Sequence, residues 1–226
     1  MNLSLDTASF RDYTSRQLNY FFPDGKTVRL EDHSAAFDLA IDRLDNCFQK
    51  VAYQRYNKDG ATILNHLYAD QYLMYVWFLS NTIWKETQDL SLANKLYYLN
   101  KSLHAFDCMY DTKLPDIFLV FHGAGTMLGK AHYSDYFVVL QGCTVGSQKG
   151  NYPFIDKGVG LTAHSSIIGN CHIGKRTSVS SYTSVFEKNI PEDSVVFKNH
   201  DTGITQVKPG KNCYAQQFFN VDLKTL

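Results

Sequence analysis

The sequence predicts an α+β chain in which an all-α N-terminal block precedes a triangular parallel β-helix and a short tail. Three observations carry this. Prolines are absent between Pro23 and Pro115, and apolar residues up to about position 112 recur at helical spacing. After Pro115 glycines and β-branched residues rise and the helical period disappears. From Ile155 onward an aliphatic stands at every sixth position: Ile155, Leu161, Ile167, Ile173, Val179, Val185. A period of six fits neither an amphipathic helix nor a simple hairpin, and a short fixed repeat signals a solenoid.

In the N-terminal block, Leu39, Ile41, Leu44, Phe48 and Val51 mark one buried helical stripe. A second helix is expected from about Gly60 to Trp84 and a third from about Ser91 to Tyr110. The most apolar window, QYLMYVWFLSNTIW from Gln71 to Trp84, is bounded by Asp70 and Lys85. It is shorter than the roughly 20 apolar residues a membrane span needs, so it reads as a buried helix.

In the solenoid, each hexad supplies one short strand and a corner, and three hexads close a coil. The aliphatic points inward, and a compact residue two positions earlier (Pro153, Val159, Ser165, Cys171, Thr177, Thr183) sits where the corner is tight. Stacked coils spaced about 4.8 Å apart hydrogen-bond to one another. Backwards, Val145 and Val139 keep the step, Tyr133 takes the next inward slot, and Leu128 breaks phase by one residue. Residues 146–154 read as a loop projecting from a corner, a place where solenoids carry function. The expected organisation is a helical domain over 1–112, a β-helix over 113–199 and a tail over 200–226. The segment from about Glu187 is expected to leave the coils and help cover their open end.

Among the 226 residues, 22 basic side chains balance 22 acidic ones, so no global field points to nucleic acid or an anionic membrane. Five cysteines without a CxxC pair favour reduced thiols in a cytoplasm over a disulfide framework or a structural zinc. The N-terminus MNLSLDTASFRDY lacks the pattern of a secretory signal.

The stretch FHGAGTMLGKAH, Phe121 to His132, places His122 beside two glycines in surroundings too irregular for a helix. A neutral histidine is suited to take a proton from an alcohol near neutral pH. Gly123 and Gly125 would let backbone N–H groups approach an oxyanion. His132, His164 and His172 read as corner or surface residues.

HGAGTMLGKA (His122 to Ala131), VVLQGCTVG (Val138 to Gly146) and IDKGVGLTAHSSIIGNCHIG (Ile155 to Gly174) resemble segments of the left-handed β-helix, hexapeptide-repeat acyltransferases. Serine O-acetyltransferase is the most similar member, and the likeness covers the whole layout of helices, coils and tail. The resemblance implies an acetyl-CoA-dependent transfer to a hydroxyl of a small acceptor, with His122 as general base and no metal. It implies Asp116 as the candidate partner of that histidine, and Gln141 with Tyr152 as acceptor-binding candidates. Gly142, Thr162 and Ala163 match positions along the coenzyme groove. Lys149 and Lys175 are candidate phosphate partners, although a lysine is ordinarily a solvated charge. The resemblance also implies a homotrimer, with a dimer of trimers as the larger assembly.

The chain departs from that pattern at Phe121, where an aspartate is usual, at Asn151-Tyr152 in place of Arg-His, and at Phe197-Lys198-Asn199 in place of Gly-x-Pro. The first two positions handle an amino acid in the family, so the acceptor stays open between serine and a sugar. N-acetylation of a sugar or nucleotide sugar is the alternative within the class. Outside it stand a metal-dependent β-helix carbonic anhydrase and a non-catalytic scaffold, since hexads specify a fold better than a substrate.

Overall fold

The computed structural model describes residues 1–226. The N-terminal block contains β1 (Asn2–Leu3), α1 (Thr7–Phe21), α2 (Ser34–Phe48), β2 (Asn57–Lys58), β3 (Ala61–Leu64), α3 (Ala69–Thr87) and α4 (Leu90–His104). Helix α1 is capped by Asp6, whose carboxylate accepts from the Ser9 N–H, and α4 by Asp89, which accepts from Leu92 N–H. Helix α3 is buried from Asp70 to Ile83 and forms the axis on which α2 and α4 pack. That explains why its middle, Tyr72 to Leu79, is apolar all round. No helix is long and apolar enough to cross a membrane.

The helical block differs from the sequence expectation in its boundaries. The second helix starts at Ala69, not near Gly60, because Ala61–Leu64 pairs with β1 and β2 in a three-stranded sheet. The third helix ends at His104, where Ala105 adopts a left-handed conformation. Leu39 is also an exposed member of its stripe, while Leu44, Phe48 and Val51 are buried.

The solenoid strands follow in chain order as β4 (Phe118–Val120), β5 (Met127–Leu128), β6 (His132–Tyr133), β7 (Phe137–Val139), β8 (Thr144–Gly146), β9 (Phe154–Ile155), β10 (Gly160–Leu161), β11 (Ser166–Ile168), β12 (His172–Ile173), β13 (Ser178–Val179) and β14 (Ser184–Phe186). They stack in parallel as three faces, β4-β7-β10-β13, β5-β8-β11-β14 and β6-β9-β12. In register, the inward columns are Val120-Val139-Leu161-Val179, Leu128-Val145-Ile167-Val185 and Tyr133-Ile155-Ile173. All are buried, as are the compact residues two positions before each aliphatic of the hexad run.

The corners explain the period. On the first two faces the backbone turns left-handed three residues before the inward aliphatic, as at Gly142, Gly158, His164, Arg176 and Tyr182. The N–H of each such residue donates to a carbonyl of the preceding coil: Gly142 to Ala124, Gly158 to Asp135, His164 to Gln141, Arg176 to Lys157 and Tyr182 to Ala163. A left-handed residue costs on the order of 1 kcal/mol when it carries a side chain, and this hydrogen bond offsets it. Gly142 must lack a side chain for a second reason, since a methyl there would run into the His164 ring.

The chain stays in the stack beyond Glu187, contrary to expectation. Ile190 bridges to Ile173, and β15 (Ser194–Lys198) pairs with β13 before β16 (Thr205–Pro209) folds back antiparallel as the outermost strand. The tail then descends the outer surface of the first face, where the Tyr214 N–H donates to Ser178 Oγ and a short 3₁₀ turn spans Tyr214–Phe218. It docks on the helical block through the Ala52 N–H to Phe218 carbonyl bond and a bridge between Val51 and Phe219. Residues 146–154 form a tight hairpin closed by Gln148 and Asn151, with positive φ at both Lys149 and Gly150.

Ile167 points into the prism and is fully buried, whereas its neighbour Ile168 faces outward and is partly exposed. Replacing Ile167 with alanine is expected to remove about 3 kcal/mol of stability, and Ile168→Ala less than about 1 kcal/mol. Chemical denaturation of both variants checks the inward assignment, which equal losses would contradict.

Candidate active site

The first coil departs from the six-residue step at two corners: Tyr133 follows Leu128 by only five residues, and the larger departure lies before Leu128. Leu128 follows Val120 by eight residues where the coils above use six between β7 and β8. Phe121 N–H donates to the Val139 carbonyl, as Leu140 N–H does to Leu161. Gly125, left-handed like Gly142 above it, donates its N–H to Ala105. Those two anchors leave His122 and Gly123 as the inserted pair, a bulge pushed out of the corner.

His122 is itself left-handed, with φ of 56°. Its N–H finds no coil carbonyl and donates instead to Asp70 Oδ1 at 3.0 Å. The other carboxylate oxygen of Asp70 faces His122 Nδ1 at 3.4 Å, an electrostatic contact longer than a tight hydrogen bond. Asp70 lies in the first turn of α3 with its side chain only 9% exposed, while the imidazole is 62% exposed. A carboxylate is favoured at a helix N-terminus, which helps hold this buried charge. The carboxylate favours a proton on the Nδ1 that faces it, and Nε2 has no intramolecular partner. Gly123 permits the bulge because a side chain there would collide with Val120 and with Leu73 of α3.

A cleft of about 580 Å³ opens at this point between the start of α3, the end of α4 and the bulge, with Gln141 on its floor. Along the same corner a groove of about 640 Å³ runs up the solenoid past Leu140, Thr162, Ala163 and Ser181, with Tyr214 of the tail as its far wall. The backbone N–H groups of Gly123, Ala124, Gln141, Ala163 and Ser181 carry no hydrogen bond, and Gln141 Oε1 is buried without a partner. Gly125 N–H, by contrast, is already taken by Ala105.

The structure therefore brings His122 and Gln141 to one cleft and Thr162 and Ala163 to the adjoining groove. It does not bring Asp116 to His122. Asp116 is exposed, and its charge acts on Arg43 and Lys85 instead, so the carboxylate beside the histidine is Asp70. Gly142 is covered by the His164 ring, which stacks in turn on Tyr182. Lys175 lines a separate hollow with Asp156 and His172. Lys149 and Tyr152, on the hairpin at another corner, line neither the cleft nor the groove within one chain. No three His, Cys, Asp or Glu side chains of the chain converge at metal-ligand spacing.

Phe121, found where an aspartate is usual, stacks on Tyr53 at 5.4 Å and meets Phe218 edge-on at 5.5 Å. It locks helices, solenoid and tail together beside the bulge. Two cleft residues escaped the sequence reading. Asp70 showed only as the charged edge of an apolar window, and His104 carried no local signal. Asn100 Nδ2 donates to the Leu73 carbonyl, so Asn100 Oδ1 accepts from His104 Nδ1 at 2.7 Å. That fixes the proton of His104 on Nδ1.

Burial pushes the His104 imidazole down to about 4, against the opposing pull of Asn100. An unfolded histidine takes its proton near 6.5, so between these values the unfolded chain binds more protons and stability falls as pH drops from about 6.5 to about 4. Replacing His104 with glutamine is expected to flatten this part of the stability curve by on the order of 2 kcal/mol. Denaturation of both proteins at pH 7 and pH 4 checks it, and parallel pH dependences would contradict it.

No protein-family model and no curated protein matches the chain. Solved structures do. Serine acetyltransferase from Brucella abortus is 17% identical, with 88% of this chain and 74% of that one covered at a TM-score of 0.57. Serine acetyltransferase from Vibrio cholerae is 16% identical, with 80% and 72% covered at 0.64. A serine acetyltransferase in complex with CoA is 18% identical, with 79% and 73% covered at 0.62. The chain shares with these enzymes the fold of N-terminal helices followed by a left-handed parallel β-helix.

Proposed function

We propose that the protein is an acetyl-CoA-dependent O-acetyltransferase acting on a small hydroxyl-bearing acceptor, with His122 as general base. The observation that carries this reading is the bulge. It presents a histidine with a free Nε2, held from behind by a buried carboxylate, where a groove meets a cleft. The groove suits the extended arm of coenzyme A, whose amide oxygens would accept from the unpaired N–H groups of Ala163 and Ser181. The similar serine acetyltransferase that binds CoA supports the same donor.

In this mechanism the acceptor hydroxyl enters the cleft and its oxygen attacks the thioester carbonyl. His122 Nε2 takes the hydroxyl proton as the C–O bond forms. Asp70 keeps Nδ1 protonated and stabilises the imidazolium. The N–H groups of Gly123 and Ala124 are free to meet the oxyanion. Collapse of the intermediate breaks the C–S bond, and the imidazolium returns its proton to the departing thiolate. No metal is needed, because the thiolate is a good leaving group.

A homotrimer fits this reading, since neighbouring prisms would complete the groove. Large apolar side chains remain on the outer faces, among them Met127, Phe154 and Phe186.

An acetyl-CoA consumption assay across serine, homoserine and a sugar panel tests the function. His122→Ala is expected to lower turnover about 10²- to 10⁴-fold without loss of folding. Turnover unchanged in that variant would remove the catalytic assignment.

A further inference from the structure

Resting on the transferase reading, we propose that the acceptor is an uncharged, hydroxyl-rich molecule of the sugar class, and that His104 Nε2 recognises it by accepting a hydrogen bond from one of its hydroxyls. No lysine or arginine of the same chain lines the cleft, and the one fixed charge there is the carboxylate of Asp70. A free amino acid brings a carboxylate, whose desolvation in a cleft requires a cation or a set of charge-assisted donors. Placed here it would share the cleft with the Asp70 carboxylate, a like-charge arrangement that no cation of this chain offsets.

The polar groups that are present suit a neutral polyol. The chain of bonds from Leu73 carbonyl to Asn100 amide to His104 Nδ1 leaves Nε2 with a bare lone pair and no intramolecular partner. Gln141 Oε1 is a second acceptor, buried and unpaired. Ser102 adds a hydroxyl that can donate or accept, and Leu103 offers apolar surface to the C–H face of a ring. Buried acceptors of this kind are left unsatisfied by a ligand without hydroxyls, which makes them discriminating. Phe121 contributes by absence: the position that could have added a carboxylate for an ammonium group is spent on packing with Tyr53 and Phe218.

The test compares steady-state kinetics of the full chain on a panel of neutral sugars and on serine and homoserine, with acetyl-CoA as donor. Sugars are expected to be acetylated with kcat/KM at least about tenfold above either amino acid. His104→Phe is expected to raise the acceptor KM about tenfold or more with the acetyl-CoA KM unchanged, and His104→Gln, which keeps an acceptor atom, to stay within about threefold of the parent. Serine or homoserine turned over as well as any sugar would overturn the inference and leave the transferase intact. An unchanged acceptor KM in His104→Phe, with the fold confirmed by circular dichroism, would overturn the role of His104. Failure of every acceptor, together with no His122-dependent thioester hydrolysis, would instead overturn the transferase reading itself.

Discussion

The hydrogen bond from the His122 N–H to Asp70 Oδ1, at 3.0 Å, satisfies a backbone group that the stacked coils cannot reach. Higher along this edge the left-handed corner residues Gly142, His164 and Tyr182 each donate to the coil before them. His122 is an insertion outside that ladder, so its donor would be orphaned, at a cost of about 1–3 kcal/mol where solvent is excluded. The same carboxylate faces the ring of the residue whose backbone it holds. One side chain thus sets the turn, the tautomer and the direction of the imidazole. Because it comes from the helical block, the block is part of the site and not an appendage to the prism.

A second set of contacts keeps that block in place. Trp77 and Phe78 of α3 pack on Phe118 of β4, and Cys47 Sγ donates to the Phe118 carbonyl. The tail closes the arrangement from the other side by binding both the first solenoid face and the end of α2. Phe121 sits where these three parts meet. The departure from the aspartate seen in the resembling family therefore has a structural counterpart: the position has become a packing anchor, and the acidic group beside His122 is supplied by α3.

The regular part of the solenoid was legible because its rule is local. Each hexad repeats the same inward aliphatic and compact neighbour, so Ile155 to Val185 announce their own columns. The one-residue phase break between Leu128 and Tyr133 was visible too, but not the longer step from Val120 to Leu128 that makes His122 and Gly123 extra. What the sequence hid depends on contacts between distant segments. Asp116 lies near His122 in the chain yet on another side of the fold, whereas Asp70 lies 52 residues away and touches it. His104 acquires its meaning only from Asn100 and from the cleft it faces. The short run ATIL of Ala61–Leu64 read as the start of a helix because four apolar or β-branched residues do not reveal their period, and pairing with β1 decided the matter.

A double-mutant cycle on kcat/KM with Asp70→Asn, His122→Ala and the combined variant tests the coupling of carboxylate and imidazole most directly. If Asp70 acts through His122, the double variant is no slower than His122→Ala alone, because the carboxylate has nothing left to orient. Losses that simply add would show that Asp70 and His122 work independently and would contradict the account.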